Sequence, residues 1–171
     1  RGQSLQCNEL EKGYFNSGVL LINTLAWAQE SVSAKAMSML ADKAIVSRLT
    51  YMDQDILNLI LLGKVKFIDA KYNTQFSLNY ELKKSFVCPI NDETVLIHYV
   101  GPTKPWHYWA GYPSAQPFIK AKEASPWKNE PLMRPVNSNY ARYCAKHNFK
   151  QNKPINGIMN YIYYFYLKII K

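Results

Sequence analysis

The sequence predicts an α/β protein with a basic, α-helical extension at its C-terminal end. Short apolar runs with the composition of strands alternate with Ala-, Leu- and Met-rich segments that favour helices, which predicts the α/β part. The extension is predicted by charge: residues 120–171 carry 10 Lys and Arg against 2 acidic residues, whereas residues 1–119 carry 11 against 10. Hydrophobic residues make up 48% and charged residues 19% of the chain, which excludes a disordered protein.

Composition also predicts the individual elements of the first hundred residues. Three short apolar runs predict strands, and they are residues 14–23, 66–69 and 94–97. The Ala-, Met- and Leu-rich residues 25–49 predict one or two helices. Asp53 is expected to cap a further helix, which should stop at Gly63.

The C-terminal part predicts two helices with a break between them. The first begins near Ser138, with aromatic residues on one face and Arg and Lys on another. We expect Pro154 and Gly157 to interrupt the helical pattern before a last, aromatic helix. Five of the six residues in 161–166 are aromatic, so they cannot share one helical face, and some should pack against the α/β part while others stay exposed.

The cysteines and the lengths of the apolar runs indicate the cellular compartment of the protein. Cys7, Cys88 and Cys144 are odd in number and widely spaced, which indicates reduced thiols in a cytosolic compartment. The longest uncharged apolar runs, residues 19–28 and 56–62, are shorter than the roughly 20 residues of a membrane-spanning helix. The chain opens Arg-Gly-Gln with no apolar targeting segment, so we expect it to be processed or to be a piece of a longer protein.

Two polar motifs in the first half are candidates for chemistry, and each also has a structural explanation. Residues 16–18 (Asn-Ser-Gly) stand at the entrance of the first predicted strand, where they form a turn or point the Asn16 amide into a cleft. Residues 53–55 (Asp-Gln-Asp) have the spacing of a D-x-D motif that holds a divalent metal. A metal-binding D-x-D usually follows a strand, whereas this one opens a helix, so capping by Asp53 would also explain it.

The segment from His98 to Trp106 is the most specific pattern in the chain. His98 ends a predicted strand, at the sheet edge where α/β proteins bind their ligands. Gly101 allows backbone amides to approach a phosphate closely, and Lys104 supplies a positive charge for it. Two prolines exclude regular structure here, so the segment predicts a phosphate-binding loop.

Four motifs occur along the chain in a fixed order: YFNSGVLLIN at 14–23, DQDILN at 53–58, KYN at 71–73 and HYVGPTKPW at 98–106. Together they resemble glycosyltransferase family 8, whose members are retaining enzymes that use a nucleotide sugar and a divalent metal. From residue 107 onwards, the chain is similar to the C-terminal region of the lipopolysaccharide core glucosyl- and galactosyltransferases of enteric bacteria. The resemblance implies the C-terminal part of a GT-A-like, nucleotide-sugar-binding mixed sheet with helices, followed by the helical extension.

The resemblance implies a donor and metal role for the loop that ends at Trp106. His98 would donate a ring nitrogen to Mn²⁺ or Mg²⁺, which would offset charge on the departing nucleoside diphosphate. Gly101 and Lys104 would hold that diphosphate, with Trp106 packing behind the loop.

A second group of residues would line the transferred sugar, namely Asn16, Asp53 and Gln54. Gln54 would lie near the anomeric carbon, and we take it and Asp53 as the catalytic candidates. Because an amide is a poor nucleophile, Gln54 is expected to stabilise an oxocarbenium-like transition state rather than to form a covalent intermediate. Retention would then come from front-side attack by the acceptor hydroxyl.

Family members carry a further upstream half with the first nucleotide-binding strands and the D-x-D that follows one of them. The resemblance therefore implies that this chain corresponds to the C-terminal half of the enzyme, and leaves open whether the chain is active alone. Residues 1–110 would complete the catalytic domain, and residues 111–171 would form a basic, aromatic region on the membrane and acceptor side.

The function implied is hexosyl transfer, of glucose or galactose, from a UDP-hexose to the lipopolysaccharide outer core. The enzyme would be cytoplasmic and peripheral on the cytoplasmic face of the inner membrane, where its basic tail meets anionic lipid. Aromatic residues cluster in that tail instead of alternating with basic ones, which argues against nucleic acid as partner. The alternative is a non-catalytic basic module that binds an anionic membrane surface, and the absence of HExxH disfavours a metal-dependent hydrolase.

Overall fold

The computed structural model describes residues 1–170, so Lys171, the last residue of the predicted basic tail, lies outside the described residues. The predicted mixed α/β class is confirmed, since the described residues form helices and a small two-stranded parallel sheet. The chain divides into two compact units, the first spanning Arg1–Asn73 and the second starting at Thr74.

Helices dominate the first unit. Its α-helices are α1 (Gly2–Leu5), α2 (Thr24–Gln29), α3 (Val32–Ala41), α4 (Lys43–Val46) and α5 (Met52–Ile60), and 3₁₀ turns cover Asn8–Lys12 and Ala70–Asn73. Residues 25–49 are therefore helical as predicted, but three helices divide them instead of one or two. The buried apolar side chains of this unit are Leu5, Leu10, Val32 and Ile56.

Two strand predictions in the first unit are wrong. Residues 14–23 and 66–69 form no strand, and the exposed fraction of Leu21 reaches 98%. Apolar composition favours a strand only where a neighbour pairs with its backbone N–H and C=O groups. Within residues 1–73, as the structure describes them, no segment supplies that pairing.

Helix α5 confirms the helix predicted near residue 53 but corrects its cap. Tyr51 occupies the N-cap position, and Asp53 lies inside the first turn. Among residues 1–170 no side chain caps the helix; instead the Asp55 carboxylate accepts hydrogen bonds from the amides of Thr50 (2.7 Å) and Tyr51 (2.9 Å), which immediately precede it. The helix ends at Ile60, and the turn after it closes through Gly63, whose φ of 72° lies in the left-handed region.

The second unit contains the parallel sheet of β1 (Thr74–Phe76) and β2 (Ile97–Tyr99). The strand predicted at residues 94–97 is thus displaced, and His98 lies in the middle of β2, opposite Gln75, rather than after its end. Strand β1 was not predicted, because three residues carry too little pattern to be seen. The core beside the sheet consists of Phe76, Leu78, Ala110, Tyr112 and Ala115.

Three α-helices follow the sheet, and 3₁₀ turns cover Leu78–Leu82 and Pro113–Ala115. The helices are α6 (Gln116–Glu123), α7 (Ser138–Lys150) and α8 (Pro154–Ile169). As predicted, α7 begins at Ser138, with the Asn137 side chain accepting a capping hydrogen bond from the Tyr140 amide. No helix among residues 1–170 has the length and apolar character that crossing a membrane requires.

The break between α7 and α8 is shorter than predicted. It turns through Asn152, with a φ of 57°, and Pro154 already starts α8. Gly157 does not interrupt the helix but lies within it, against the ring of Phe149, where an added Cβ would come within 2.6 Å. The glycine therefore allows α7 and α8 to pack closely.

Helix α8 has one packed and one exposed face. The packed side includes Gly157 and Tyr161, whose ring lies 5.9 Å from that of Phe149 on α7. The other side carries seven large apolar residues at helical spacing, each more than half exposed, and we call them the α8 stripe: Ile155, Ile158, Met159, Ile162, Phe165, Tyr166 and Ile169. The expected division of the aromatic cluster into packed and exposed members is thus confirmed, but Tyr161 packs on α7 and not on the α/β part as predicted.

We predict that Asp55→Asn lowers the free energy of unfolding by about 2 kcal/mol or more, because hydrogen bonds to a charged group contribute about 1.5–3 kcal/mol. The Asp55 side chain is fully buried, pairs with the Arg1 guanidinium and accepts a 2.5 Å hydrogen bond from the Tyr14 hydroxyl. Denaturant unfolding followed by circular dichroism measures the change, and Asp92→Asn, an exposed turn residue, is the matched control.

The pH dependence of this effect has a defined sign. Burial alone would raise the pKa of Asp55, but hydrogen bonds from Arg1, Tyr14 and the backbone outweigh it and hold the pKa well below its ordinary value. The carboxylate therefore stabilises the fold above the unfolded pKa of about 3.9 and loses this contribution as pH falls further. Wild type should lose more stability than Asp55→Asn between about pH 5 and pH 3, and parallel profiles would contradict the assignment.

Candidate active site

In the first unit, polar side chains of α5 hold residues 14–18. The Gln54 Oε1 atom accepts hydrogen bonds from Asn16 Nδ2 (2.8 Å) and the Ser17 amide (3.1 Å), while Gln54 Nε2 donates to the Tyr14 hydroxyl (3.1 Å). The Asp53 carboxylate accepts from the Ser17 hydroxyl at 2.6 Å. The structure thus brings together Asn16, Asp53 and Gln54, three residues that sequence reasoning had grouped.

Sequence reasoning missed the residue that fixes this arrangement from beneath. Asn58 is 2% exposed, and its side chain accepts from the Phe15 amide and donates to the Phe15 carbonyl, both at 2.9 Å. It thereby satisfies both backbone groups of one residue, as a neighbouring strand would. An amide placed four residues after Gln54, on the same helical face, was the signal available in the sequence.

The second unit contains the loop predicted to bind phosphate, and the absence of regular structure after β2 is confirmed. Gly101 has a φ of 83°, and a Cβ there would lie 2.7 Å from the Ser77 hydroxyl oxygen, so the position excludes side chains on two grounds. His98 is half-buried, and burial together with the nearby Lys104 charge lowers its pKa. Its imidazole is therefore neutral near pH 7, the form that can donate a lone pair.

The Lys104 side chain forms a hydrogen bond within its own loop. Its ammonium donates a 2.6 Å hydrogen bond to the Tyr99 carbonyl, and burial lowers its pKa. Trp106 packs on Phe118, with ring centroids 5.9 Å apart, and stays 41% exposed. The loop thus presents a partly desolvated cation whose only hydrogen bond in the described residues is to a carbonyl.

Two buried histidines support this loop, and neither was predicted from the sequence. His107 Nδ1 accepts a hydrogen bond from the Lys104 amide (3.1 Å). His147, on α7, contacts the Thr103 hydroxyl through Nε2 (3.1 Å) and the Tyr112 hydroxyl through Nδ1 (2.7 Å). Burial lowers the pKa of each histidine to about 4, so both are neutral at physiological pH.

The candidate residues fall in different units. Asn16, Asp53 and Gln54 belong to the first, and the residues of the loop from His98 to Trp106 belong to the second. Within residues 1–170, no three His, Cys, Asp or Glu side chains come together as a metal-binding group. The described residues therefore offer His98 as a single candidate ligand and do not form a complete metal site.

Comparison with known proteins gives the family. The model of Glycosyl transferase family 8 matches residues 1–110, and that of Glycosyl transferase family 8 C-terminal matches residues 112–168. The chain belongs to glycosyltransferase family 8, as its four motifs indicated. No solved structure matches it.

Two curated relatives cover the chain almost end to end. It is 54% identical over 170 residues to the lipopolysaccharide glucosyltransferase WaaO of Escherichia coli K12, covering 99% of this chain and 50% of the relative. It is 50% identical over 171 residues to the lipopolysaccharide 1,3-galactosyltransferase of Salmonella typhimurium LT2, covering 100% of this chain and 51% of the relative. The chain thus spans about half the length of the curated relatives it matches.

Proposed function

We propose that this chain belongs to a retaining hexosyltransferase that moves glucose or galactose from a UDP-hexose to the lipopolysaccharide outer core. The observation that carries the proposal is identity of 50% or more, over nearly the whole chain, to two transferases named for lipopolysaccharide hexose transfer. The non-catalytic alternative has no such support. Residues 1–110 would complete a GT-A-like catalytic domain, and residues 111–171 would serve the acceptor and membrane side.

The loop in the second unit would bind the donor diphosphate. Gly101 leaves room for a phosphate to approach the backbone, and Lys104 would exchange its bond to the Tyr99 carbonyl for one to a phosphate oxygen. The partial burial of Lys104 strengthens its attraction for an anion, because the local dielectric constant is lower than that of water. Trp106, packed on Phe118, would keep this loop in place.

The polar cluster in the first unit would face the transferred sugar. Gln54 Oε1 already accepts two hydrogen bonds, so its lone pairs are occupied and nucleophilic attack by this atom is disfavoured. The cluster would instead orient Asn16 and Asp53 toward sugar hydroxyls and stabilise positive charge at the anomeric carbon. This supports front-side attack by the acceptor hydroxyl with retention.

A divalent ion, Mn²⁺ or Mg²⁺, would neutralise charge on the diphosphate when bound. His98 would be its ligand in this chain, since its neutral imidazole suits metal coordination. Among the described residues no three His, Cys, Asp or Glu side chains come together, so further ligands would have to come from outside them.

We predict that Lys104→Gln and Gln54→Ala impair transfer in different ways. Lys104 would contact the diphosphate in both ground and transition states, so its loss should raise KM for UDP-hexose about tenfold or more with a small change in kcat. Gln54 would act mainly in the transition state, so its loss should lower kcat with little change in KM.

Steady-state kinetics measures both effects in a chimaera that joins the unmatched half of the Escherichia coli relative to this chain. Lys128→Gln, which removes an exposed lysine of the second unit, is the charge-matched control. If Lys104→Gln and Gln54→Ala lower kcat alone and equally, the two assigned roles are wrong.

We also propose that the protein is cytoplasmic and docks on the anionic cytoplasmic face of the inner membrane through the α8 stripe. Seven exposed apolar side chains on one helical face suit an interfacial helix. From residue 131 to the end the chain has no acidic residue, and its cations would meet anionic head groups at about 1 kcal/mol each. The cations assigned to the head groups are Arg142, Lys146, Lys150, Lys153, Lys168 and Lys171.

We predict that Ile162→Ser weakens binding to phosphatidylglycerol-containing vesicles about tenfold or more, since burying one such side chain contributes about 1.5–3 kcal/mol. Vesicle co-sedimentation measures it, and Val136→Ser, which is 65% exposed outside the stripe, should change little. Binding should also weaken between about 0.1 M and 1 M salt, as the screening length shortens from about 10 to 3 Å. Equal binding by all three proteins would show that the stripe is not the membrane contact.

A further inference from the structure

An open cavity of about 530 Å³ lies in the second unit, outside the loop assigned to the donor. Its lining residues are Tyr108, Pro131, Leu132, Arg134 and Asn156. None of them was singled out in the sequence for a binding role, and none belongs to the proposed donor or metal site.

The walls of this cavity are held by hydrogen bonds. The Tyr108 amide donates to the Met133 carbonyl (3.1 Å) and the Met133 amide donates to the Trp106 carbonyl (2.8 Å), so the lining segment around Leu132 is fastened beside the donor loop. The Tyr108 hydroxyl is fixed in turn by Cys144 Sγ (3.0 Å) and Asn160 Nδ2 (3.2 Å). Tyr108 and the segment around Leu132 are therefore fixed in place on one side of the cavity.

Its polar groups define the chemistry of an occupant. Arg134 is exposed and has no carboxylate partner among residues 1–170, so its guanidinium offers a planar pair of donors to an oxyanion. Asn156 is also exposed and offers a donor and an acceptor, as sugar hydroxyls require. Tyr108, 38% exposed, adds an aromatic surface. An anionic saccharide can bind to all three of these side chains.

The position of the cavity beside α8 gives a second indication of the chemistry of its occupant. Asn156 directly follows Ile155, the first residue of the α8 stripe, and at about 100° per residue it lies on the flank of that stripe. A ligand in the cavity would therefore sit beside the apolar face. A polar head next to an apolar surface matches a glycolipid.

We propose that this cavity binds a phosphate-bearing sugar of the glycolipid acceptor, with Arg134 on the phosphate and Asn156 and Tyr108 on the sugar. The proposal rests on the function proposed above, because it takes lipopolysaccharide as the acceptor. It assigns the C-terminal region a direct part in acceptor recognition.

The test is a titration of the purified chain with deacylated core oligosaccharide, before and after its phosphate esters are removed, followed by amide NMR shifts. Dephosphorylation should weaken binding about tenfold or more, the loss expected for one charge-assisted contact. Arg134→Gln should weaken binding of the phosphorylated form equally and abolish the difference between the two forms. Lys128→Gln removes the same charge outside the cavity and should bind as wild type does. Since Arg134 and Lys128 are exposed, both variants should fold.

The inference is overturned if Arg134→Gln binds the phosphorylated oligosaccharide like wild type, or if Lys128→Gln weakens binding as much as Arg134→Gln does. UDP-hexose, titrated separately into the chimaera described above and followed at the Gly101 and Lys104 amides, distinguishes its failure from that of the proposed function. If the chimaera binds UDP-hexose but the chain binds no oligosaccharide, this inference alone is lost. If the chain binds the oligosaccharide through Arg134 but the chimaera binds no UDP-hexose, the inference stands and the donor assignment is lost.

Discussion

The first unit depends on side-chain amides of α5 holding a segment that has no strand beside it. Asn58 bonds both backbone groups of Phe15, and Gln54, one turn earlier, bonds the Asn16 side chain and the Ser17 amide. These hydrogen bonds are largely shielded from water. Leaving a buried donor or acceptor without its partner costs about 1–3 kcal/mol. Together with the hydrogen bond from Ser17 to Asp53, these bonds place the polar groups of residues 16–18 against residues 53–54 and so form the candidate sugar-binding cluster.

The second unit uses neutral histidines for the same purpose. His147 forms hydrogen bonds with both Thr103 and Tyr112, and His107 accepts a hydrogen bond from the Lys104 amide. These bonds attach the loop to α7 and to the core. Because burial lowers both pKa values to about 4, neither histidine changes its charge near pH 7. Lys104 is thus the partly buried cation of this loop, and the two histidines that hold the loop in place stay neutral near pH 7.

The sequence predicted helices, the irregular loop and the division of the aromatic cluster into packed and exposed members better than it predicted strands. Helices form from local hydrogen bonds, so composition and periodicity suffice for residues 25–49 and for α7. A strand needs a pairing partner elsewhere in the chain, and composition does not reveal that partner. The strands predicted at residues 14–23 and 66–69 were wrong for this reason. The expected cap at Asp53 was wrong for another reason, because Asp53 and Asp55 lie about 200° apart around α5 and composition does not show which of the two carboxylates is buried.

Individual site residues were predicted where a backbone requirement or a family motif marked them. Gly101 was singled out because a residue without a side chain lets backbone amides approach a phosphate closely; its φ of 83° and the nearby Ser77 hydroxyl explain why glycine stands there, and its phosphate role stays a prediction. Asn58, His107 and His147 were missed, since an amide or a buried imidazole becomes meaningful only when its tertiary partner is known. Gly157 was misread as a helix breaker because its role is to contact Phe149.

The most direct test of the proposed function is transfer itself. Labelled UDP-glucose and UDP-galactose are incubated with lipopolysaccharide that lacks the outer core, in the presence of the chimaera that joins the unmatched half of the Escherichia coli relative to this chain. We expect hexose to appear on the core with the anomeric configuration it had in the donor. No transfer from either donor, or a product of inverted configuration, would contradict the proposal.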